Sequence, residues 1–383
     1  MTIKNEVNKG CPERRSVRGI LIMSDDKTYM ARAIRLARRG IGGVSPNPAV
    51  GAVIVKRGRI LAEGYHLRFG GPHAEVDALS RLESGDAAGA TMYVTLEPCN
   101  HHGKTPPCTD AILEAGIDRV VVGMEDPNPL VRGAGIAKLR ASGIEVVIGV
   151  LEEKCRRLNE PFVTCIEKNR PFVTLKIAQT LDGRIATPEG RSRWITGEAA
   201  REEVHRMRKA SDAVLVGVNT VIADDPRLTV RHVRGGGGRR IILDSRLRTP
   251  LASRILHLPD PENTILVHTA LAPKTGVEAL AEAGVTLWRV RQAGGRVSLP
   301  SLLQRMKDAG IGSVLVEGGE AVFSSFLKSG VVDRIVAFIA PVLFGEGKPC
   351  FSSLRIREPR EGIRFQETIW RRVGEDMMFE GRL

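Results

Sequence analysis

The chain has 383 residues, room for two domains, and its 42% hydrophobic and 26% charged content excludes a disordered or fibrous protein. Lys and Arg number 57 against 44 Asp and Glu, a formal net charge of +13. With 4% aromatic residues and dispersed basic side chains, that charge suits small phosphorylated ligands better than a nucleic-acid strand.

The longest strongly apolar run, "IVAFIAPVLF" from Ile335 to Phe344, is about half of what a bilayer crossing needs, so no membrane partner is expected. Six cysteines (Cys11, Cys99, Cys108, Cys155, Cys165 and Cys350) without a secretory signal fit a reducing cytoplasm, not a disulfide framework. Residues 1–26 read as a loose tail, with Met23 as an alternative start.

From residue 27 the pattern is regular. "KTYMARAIRLARRG" sets Met30, Ala33, Ile34 and Ala37 on one helical face, with Gly40 as the expected cap. "AVGAVIVKRGRILAEGYH" alternates and turns at Arg57 and Gly58, a hairpin of two strands. A helix at "HAEVDALS" and a strand in "ATMYVTLEPC" follow, then a helix at "CTDAILEAG" and a strand at "IDRVVVGM". "IAKLRASG" adds a helix and "IEVVIG" a strand, and this alternation predicts a three-layer α/β sandwich.

One helical stretch from Leu151 to Lys168 ends at "KNRP", which places a domain boundary near residue 170. The first domain is therefore expected over 27–170 and a second α/β domain over 171–383. Its strands are expected at "FVTLKIAQTLDG", "DAVLVGV", "RRIILDS", "NTILVHT", "GVTLWRV", "GSVLVEGG" and "VDRIVAFIA". The run "RGGGGRR" reads as a flexible connector.

Within the first domain, His73 and Glu75 stand two positions apart, and "PCNHHGKTPPC" supplies Cys99 and Cys108. Zinc favours tetrahedral nitrogen and sulfur ligands, and a catalytic site keeps three protein ligands and leaves the fourth position for water. His73, Cys99 and Cys108 make such a set, and Glu75 is a carboxylate that can take a proton from the activated water and pass it to a leaving amine. That is the signature of a zinc deaminase. Two plainer readings use the same residues: a structural zinc with His101 or His102 as fourth ligand, or two buried thiols without metal.

Taken together and in order, "SPNPAVGAVIV", "HAEVDAL", "VTLEPCNHHGKTPPCTDAI" and "MEDPNPLVRGAGI" resemble the deaminase half of the bifunctional riboflavin-biosynthesis deaminase/reductases. The resemblance continues through "FVTLKIAQTLDGRIAT", "SRWITGEAAR", "DAVLVGVNTVIADDPRLTVR" and "VEGGEAVFSSFL". It implies a cytidine-deaminase-like three-layer sandwich followed by a dihydrofolate-reductase-like α/β domain. The expected activities are zinc-dependent deamination of a phosphoribosylated diaminopyrimidine, then NADPH-dependent reduction of its ribosyl group to ribityl.

By resemblance, Zn2+ would be held by His73, Cys99 and Cys108, Glu75 would shuttle protons, and Asn47 would contact the pyrimidine or ribose. His102, Lys104 and Thr105, in the long insertion between the cysteines, would offer phosphate or ribose contacts. Ala178, Trp194, Thr220, Asp224, Ser245 and Gly319 would face the cofactor, with Gly318 and Gly319 admitting its phosphates to a helix start. Ser192, Arg208, Leu228, Arg231 and Glu317 would face the substrate. The family also implies a homo-oligomer formed through the reductase domain, and no nucleic-acid partner. Glu320 departs from its pattern, setting a carboxylate beside the glycine pair where a pyrophosphate would repel it.

Overall fold

The computed structural model describes residues 24–101, 106–233 and 235–383. Most of the expected tail, the Met23 start, Cys11, His102, Lys104, Thr105 and Arg234 lie outside them. Among the described residues no helix is long and apolar enough to cross a membrane.

Helix α1 (Ser24–Ala37) begins three residues before its expected start. Asp25 and Asp26 occupy its first turn, where carboxylates meet the positive end of the helix dipole. Asp26 is fully buried, in a two-point ion pair with Arg119 at 2.9 and 3.0 Å, so it belongs to the core and not to a tail. Gly40 is not a left-handed cap: a Cβ there would lie 2.2 Å from the His66 carbonyl, and the residue is small because two chain segments touch.

The hairpin of β1 (Gly51–Lys56) and β2 (Arg59–Tyr65) turns at Arg57 and Gly58, both at positive φ. Then follow α2 (Ala74–Leu79), β3 (Thr91–Val94), α3 (Cys108–Glu114), β4 (Arg119–Val122), α4 (Ala134–Ala141) and β5 (Glu145–Ile148). The sheet order is β2-β1-β3-β4-β5. Strand alternation splits the core into two faces. Ala52, Ile54, Met92 and Val120 pack with α2, α3 and α4, while Val53, Val55, Tyr93 and Val121 pack with α1.

The single helix expected over Leu151–Lys168 is two, α5 (Glu152–Leu158) and α6 (Glu160–Glu167). Asn159 causes the break. Its buried side chain accepts from Ala49 N at 2.8 Å and donates to Ala49 O at 3.0 Å, tying this joint to the start of β1. Asn159→Ala would leave both Ala49 groups unpaired, and a loss of about 2 kcal/mol in urea unfolding is expected. An unchanged midpoint would show that water replaces the amide.

The second domain runs β6 (Phe172–Thr180), β7 (Arg184–Ala186), α7 (Glu198–Ala210), β8 (Ala213–Gly217), α8 (Val218–Asp224) and β9 (Arg239–Leu243). It continues through β10 (Thr264–His268), α9 (Lys274–Glu282), β11 (Thr286–Arg289), β12 (Gln292–Ala293), β13 (Arg296–Val297) and α10 (Leu299–Asp308). It ends with β14 (Ser313–Val316), α11 (Glu320–Lys328), β15 (Arg334–Ala340), β16 (Lys348–Pro349), β17 (Glu367–Val373) and β18 (Asp376–Arg382).

Nine strands form one sheet in the order β11-β10-β9-β8-β14-β6-β15-β18-β17, parallel as far as β15 and antiparallel beyond it. Helices α10 and α11 cover one face, and α7, α8 and α9 the other. The seven expected strands are present, while the β17–β18 hairpin has no counterpart among them. The glycine run is not a free connector either, since a Cβ at Gly238 would lie 2.2 Å from the Asp212 carbonyl.

Asp333 clamps the domains together. It accepts from Lys168 Nζ at 2.8 Å, from Arg170 at 2.6 and 2.8 Å, and from Val173 N at 2.9 Å.

Candidate active sites

The first site lies where α2 and α3 begin. His73 is the N-cap of α2, Cys108 opens α3, and Cys99 sits in the loop after β3. The His73 Nδ1 atom is 3.2 Å from Cys108 Sγ and 3.6 Å from Cys99 Sγ, and all three donor atoms lie within 4.8 Å of one another. The Cys108 N–H points at Cys99 Sγ, 3.3 Å away. Hydrogen bonding from the Cys108 thiol, followed by that from His73, pulls the Cys99 thiol well below its ordinary range. Two close sulfurs with one drawn to the thiolate, plus one ring nitrogen, are a donor set that fits tetrahedral zinc.

His101, which a four-ligand structural site could use, is exposed and outside this cluster. Glu75, in the first turn of α2, is 3% exposed, and burial raises its carboxyl to about 7. Such a group holds or releases a proton near neutrality.

Asn47 reaches this site through a histidine the sequence did not single out. Its Nδ2 lies 3.2 Å from Nε2 of buried His66, whose ring stands edge-on to His73 at 5.5 Å. His66 directly follows β2, and only the approach of β2 to α2 reveals its position. Glu97 was also missed. This buried carboxylate accepts backbone N–H bonds from Asp126, Gly133, Gly135 and Ile136 at 2.9 to 3.3 Å, fixing the loop before α4 beside the Cys99 segment.

The second site is a cleft of about 1500 Å³ at the carboxyl ends of β6, β8, β9 and β14, where parallel sheets bind ligands. All the cofactor- and substrate-facing residues expected in this domain line it: Ala178, Ser192, Trp194, Arg208, Thr220, Asp224, Leu228, Arg231, Ser245, Glu317 and Gly319. Trp194, a core residue by type, is 70% exposed at the rim, with Arg201 stacked 4.6 Å from its ring centre. Gly319 is the N-cap of α11. Gly318 serves chain packing, since a Cβ there would meet Gly217 N and Val216 Cα at 2.8 Å.

Arg208 does not stand free as a phosphate fork. It grips Glu317 at 2.6 and 2.9 Å and donates to the Thr229 carbonyl at 3.0 Å. Against burial, which would raise it, Arg208 and then Lys176 hold the Glu317 carboxyl at about 2. Lys176 Nζ lies 3.8 Å from Glu317, and burial lowers its pKa. The sequence reading passed over it, although a lysine inside "FVTLKIAQT" is itself a signal of a functional charge on a core strand.

Cationic side chains outnumber carboxylates around this cleft, and its size and charge fit a phosphorylated dinucleotide beside a sugar phosphate. Glu320 lines it too, with its carboxylate taken up by the Ser352 hydroxyl.

Comparison with known proteins matches two families along the chain. The profile of the "cytidine and deoxycytidylate deaminase zinc-binding region" matches residues 23–124, and that of the "RibD C-terminal domain" matches 171–379. Riboflavin biosynthesis protein RibD of Aquifex aeolicus is 47% identical over 360 residues, 94% of this chain and 98% of its own length. The Escherichia coli protein of that name is 40% identical over 84% of this chain and 89% of its own. The structure of Acinetobacter baumannii RibD superposes with a TM-score of 0.84 at 39% identity, covering 94% of this chain and 98% of its own. A deaminase/reductase from Thermotoga maritima superposes at 0.81 with 43% identity, over 93% and 98% of the two chains. The fold is thus a cytidine-deaminase-like sandwich joined to a RibD-type reductase domain.

Proposed function

Because the chain belongs to the RibD family of riboflavin biosynthesis, we propose which of its residues carry each of the two reactions of that family. It is a bifunctional enzyme. Its first domain is a zinc-dependent deaminase of 2,5-diamino-6-(5-phosphoribosylamino)pyrimidin-4-one, and its second an NADPH-dependent reductase that converts the ribosyl group to ribityl.

The observation that carries the deaminase assignment is the convergence of His73, Cys99 and Cys108 around one point, with the buried Glu75 carboxyl on the same helix. Bound zinc supplies Lewis-acid activation of a water molecule. Glu75 takes the proton released there and delivers it to the departing ring amine, a transfer suited to a carboxyl poised near 7. Asn47, braced by His66, orients the pyrimidine or its ribose.

In the reductase cleft, bound NADPH supplies a hydride to C1 of the ribosyl group. Arg231 receives the substrate phosphate, and Ser192 and Leu228 shape the pocket. Lys176, its pKa lowered by burial, is the group placed to move a proton as the sugar ring opens, with Glu317 beside it as its counter-charge. Ala178, Trp194, Thr220, Asp224 and Ser245 would hold the cofactor, and the helix start at Gly319 would suit its phosphates.

Glu320→Ala removes an anion from that helix start, and NADPH binding about threefold tighter is expected in a fluorescence titration. Unchanged affinity would mean that the bond from Ser352 turns the carboxylate away.

The five described cysteines are free thiols, which suits a cytoplasmic enzyme. A homo-oligomer through the reductase domain is supported by β17, an edge strand with Ile369 and Trp370 exposed.

Mass spectrometry of products from zinc-loaded protein and the diaminopyrimidine substrate, without and with NADPH, tests the whole account. Loss of the amino group without cofactor and gain of two hydrogens with it are expected. No change in either tube would overturn the substrate assignment.

A further inference from the structure

We propose that His205 is a positioning residue of the reductase, holding the Arg231 backbone so that the guanidinium meets the phosphate of the substrate. This rests on the assignment of Arg231 to that phosphate.

His205 lies on α7, three residues before Arg208 and on the same helical face. It is 5% exposed, yet among the described residues its ring bonds to no side chain that could use it in chemistry. Instead Nδ1 accepts the Arg231 backbone N–H at 3.1 Å, and the ring packs against His232 with centroids 4.6 Å apart. Arg208 Nη1 donates to the Thr229 carbonyl at 3.0 Å, and Arg231 Nη1 to Thr229 Oγ1 at 3.0 Å. Residues 229–232 are thereby fastened to α7 at two backbone points, on residues two positions apart.

The charge distribution explains why such an anchor is needed. Arg231 shares the cleft with Arg208, Arg227 and Arg254, which repel it. Arg208 is neutralised by Glu317 and Arg254 by Asp225. Among the described residues Arg231 has no acidic partner, so no ion pair restrains it, and a backbone bond that carries no charge holds its place without consuming its positive charge.

The acceptor must be an unprotonated nitrogen. Burial first, then the charges of Arg208 and Arg231, lower the imidazole pKa to about 4 and keep that lone pair available at neutral pH. A lysine or arginine at this position would repel the loop, and an aliphatic residue would leave the Arg231 N–H unpaired.

Steady-state kinetics of His205→Phe, His205→Asn and Arg231→Ala test this, with the phosphorylated reductase substrate and with its riboside lacking the phosphate. His205→Phe keeps the ring and removes the acceptor. KM for the phosphorylated substrate is expected to rise about tenfold, with kcat changed less and with KM for the riboside unaltered. His205→Asn, whose Oδ1 can accept the same N–H, should restore most of the loss. An unaltered kcat with the riboside reports that the reductase domain of each variant is folded.

If Arg231→Ala shows no phosphate-dependent rise in KM, the phosphate assignment itself fails. If it does and His205→Phe leaves KM unchanged, or weakens both substrates alike, the positioning role is overturned. Should the Phe variant not fold, His205→Ala, which lacks the acceptor and adds no bulk, is read in the same way.

Discussion

Glu75→Gln is expected to slow deamination about a thousandfold while zinc content and NADPH-dependent reduction of the deaminated intermediate stay at wild-type levels. The amide has the shape of the carboxylate and cannot take up a proton, so the substitution removes proton transfer and little else. Zinc would be held by His73, Cys99 and Cys108, so the exchanged carboxyl is not among its ligands. Burial also raises the native carboxyl, and a neutral amide relieves that desolvation, so stability should not fall. Metal analysis and separate assays of the two half-reactions check each part. Retained deamination in E75Q would assign the proton shuttle to another group and leave the cluster as a structural zinc.

The second large effect is expected at Glu317. This carboxylate is 6% exposed and faces two cations, Arg208 at 2.6 Å and Lys176 at 3.8 Å. Glu317→Gln strands both charges in a buried setting. A loss of about 3 kcal/mol in the reductase domain is expected, together with loss of most reduction, while deamination persists.

The pH dependence follows from the direction of the shift. The folded pKa of about 2 lies below the ordinary 4.5, so the stabilisation is fully present above about pH 4.5 and is lost as pH falls through 2. Denaturation of wild type and E317Q should therefore differ most at neutral pH and converge toward pH 2. A constant difference across that range would mean that the loss comes from packing and not from charge.

Much of the fold was legible because β-strands and helices write different periods. Val53 and Ile54 alternate between two cores, and the first domain was readable from such patterns alone. The errors fall where long-range contact overrides local chemistry. Gly40 and Gly238 looked like cap and linker, but each is small because another backbone crosses it. Asn159 breaks a continuous helical pattern because it satisfies the backbone of Ala49, 110 residues away. The β17–β18 hairpin escaped because an edge strand with most residues exposed, "ETIWRRV", lacks the apolar run that marks a buried one.

His73, Cys99, Cys108 and Glu75 could be nominated from sequence, since metal and proton chemistry demand particular atoms, and the fold brings the three candidate donor atoms within 4.8 Å of one another. The reductase residues could be named by resemblance, but their partners could not. That Arg208 is held by Glu317, that Lys176 is buried beside them, that His66 braces Asn47 and that His205 holds a backbone N–H were decided by tertiary structure alone. Each of those roles depends on burial and on a neighbour distant in the chain, and a side chain acquires both only when the strands and helices that carry it have packed.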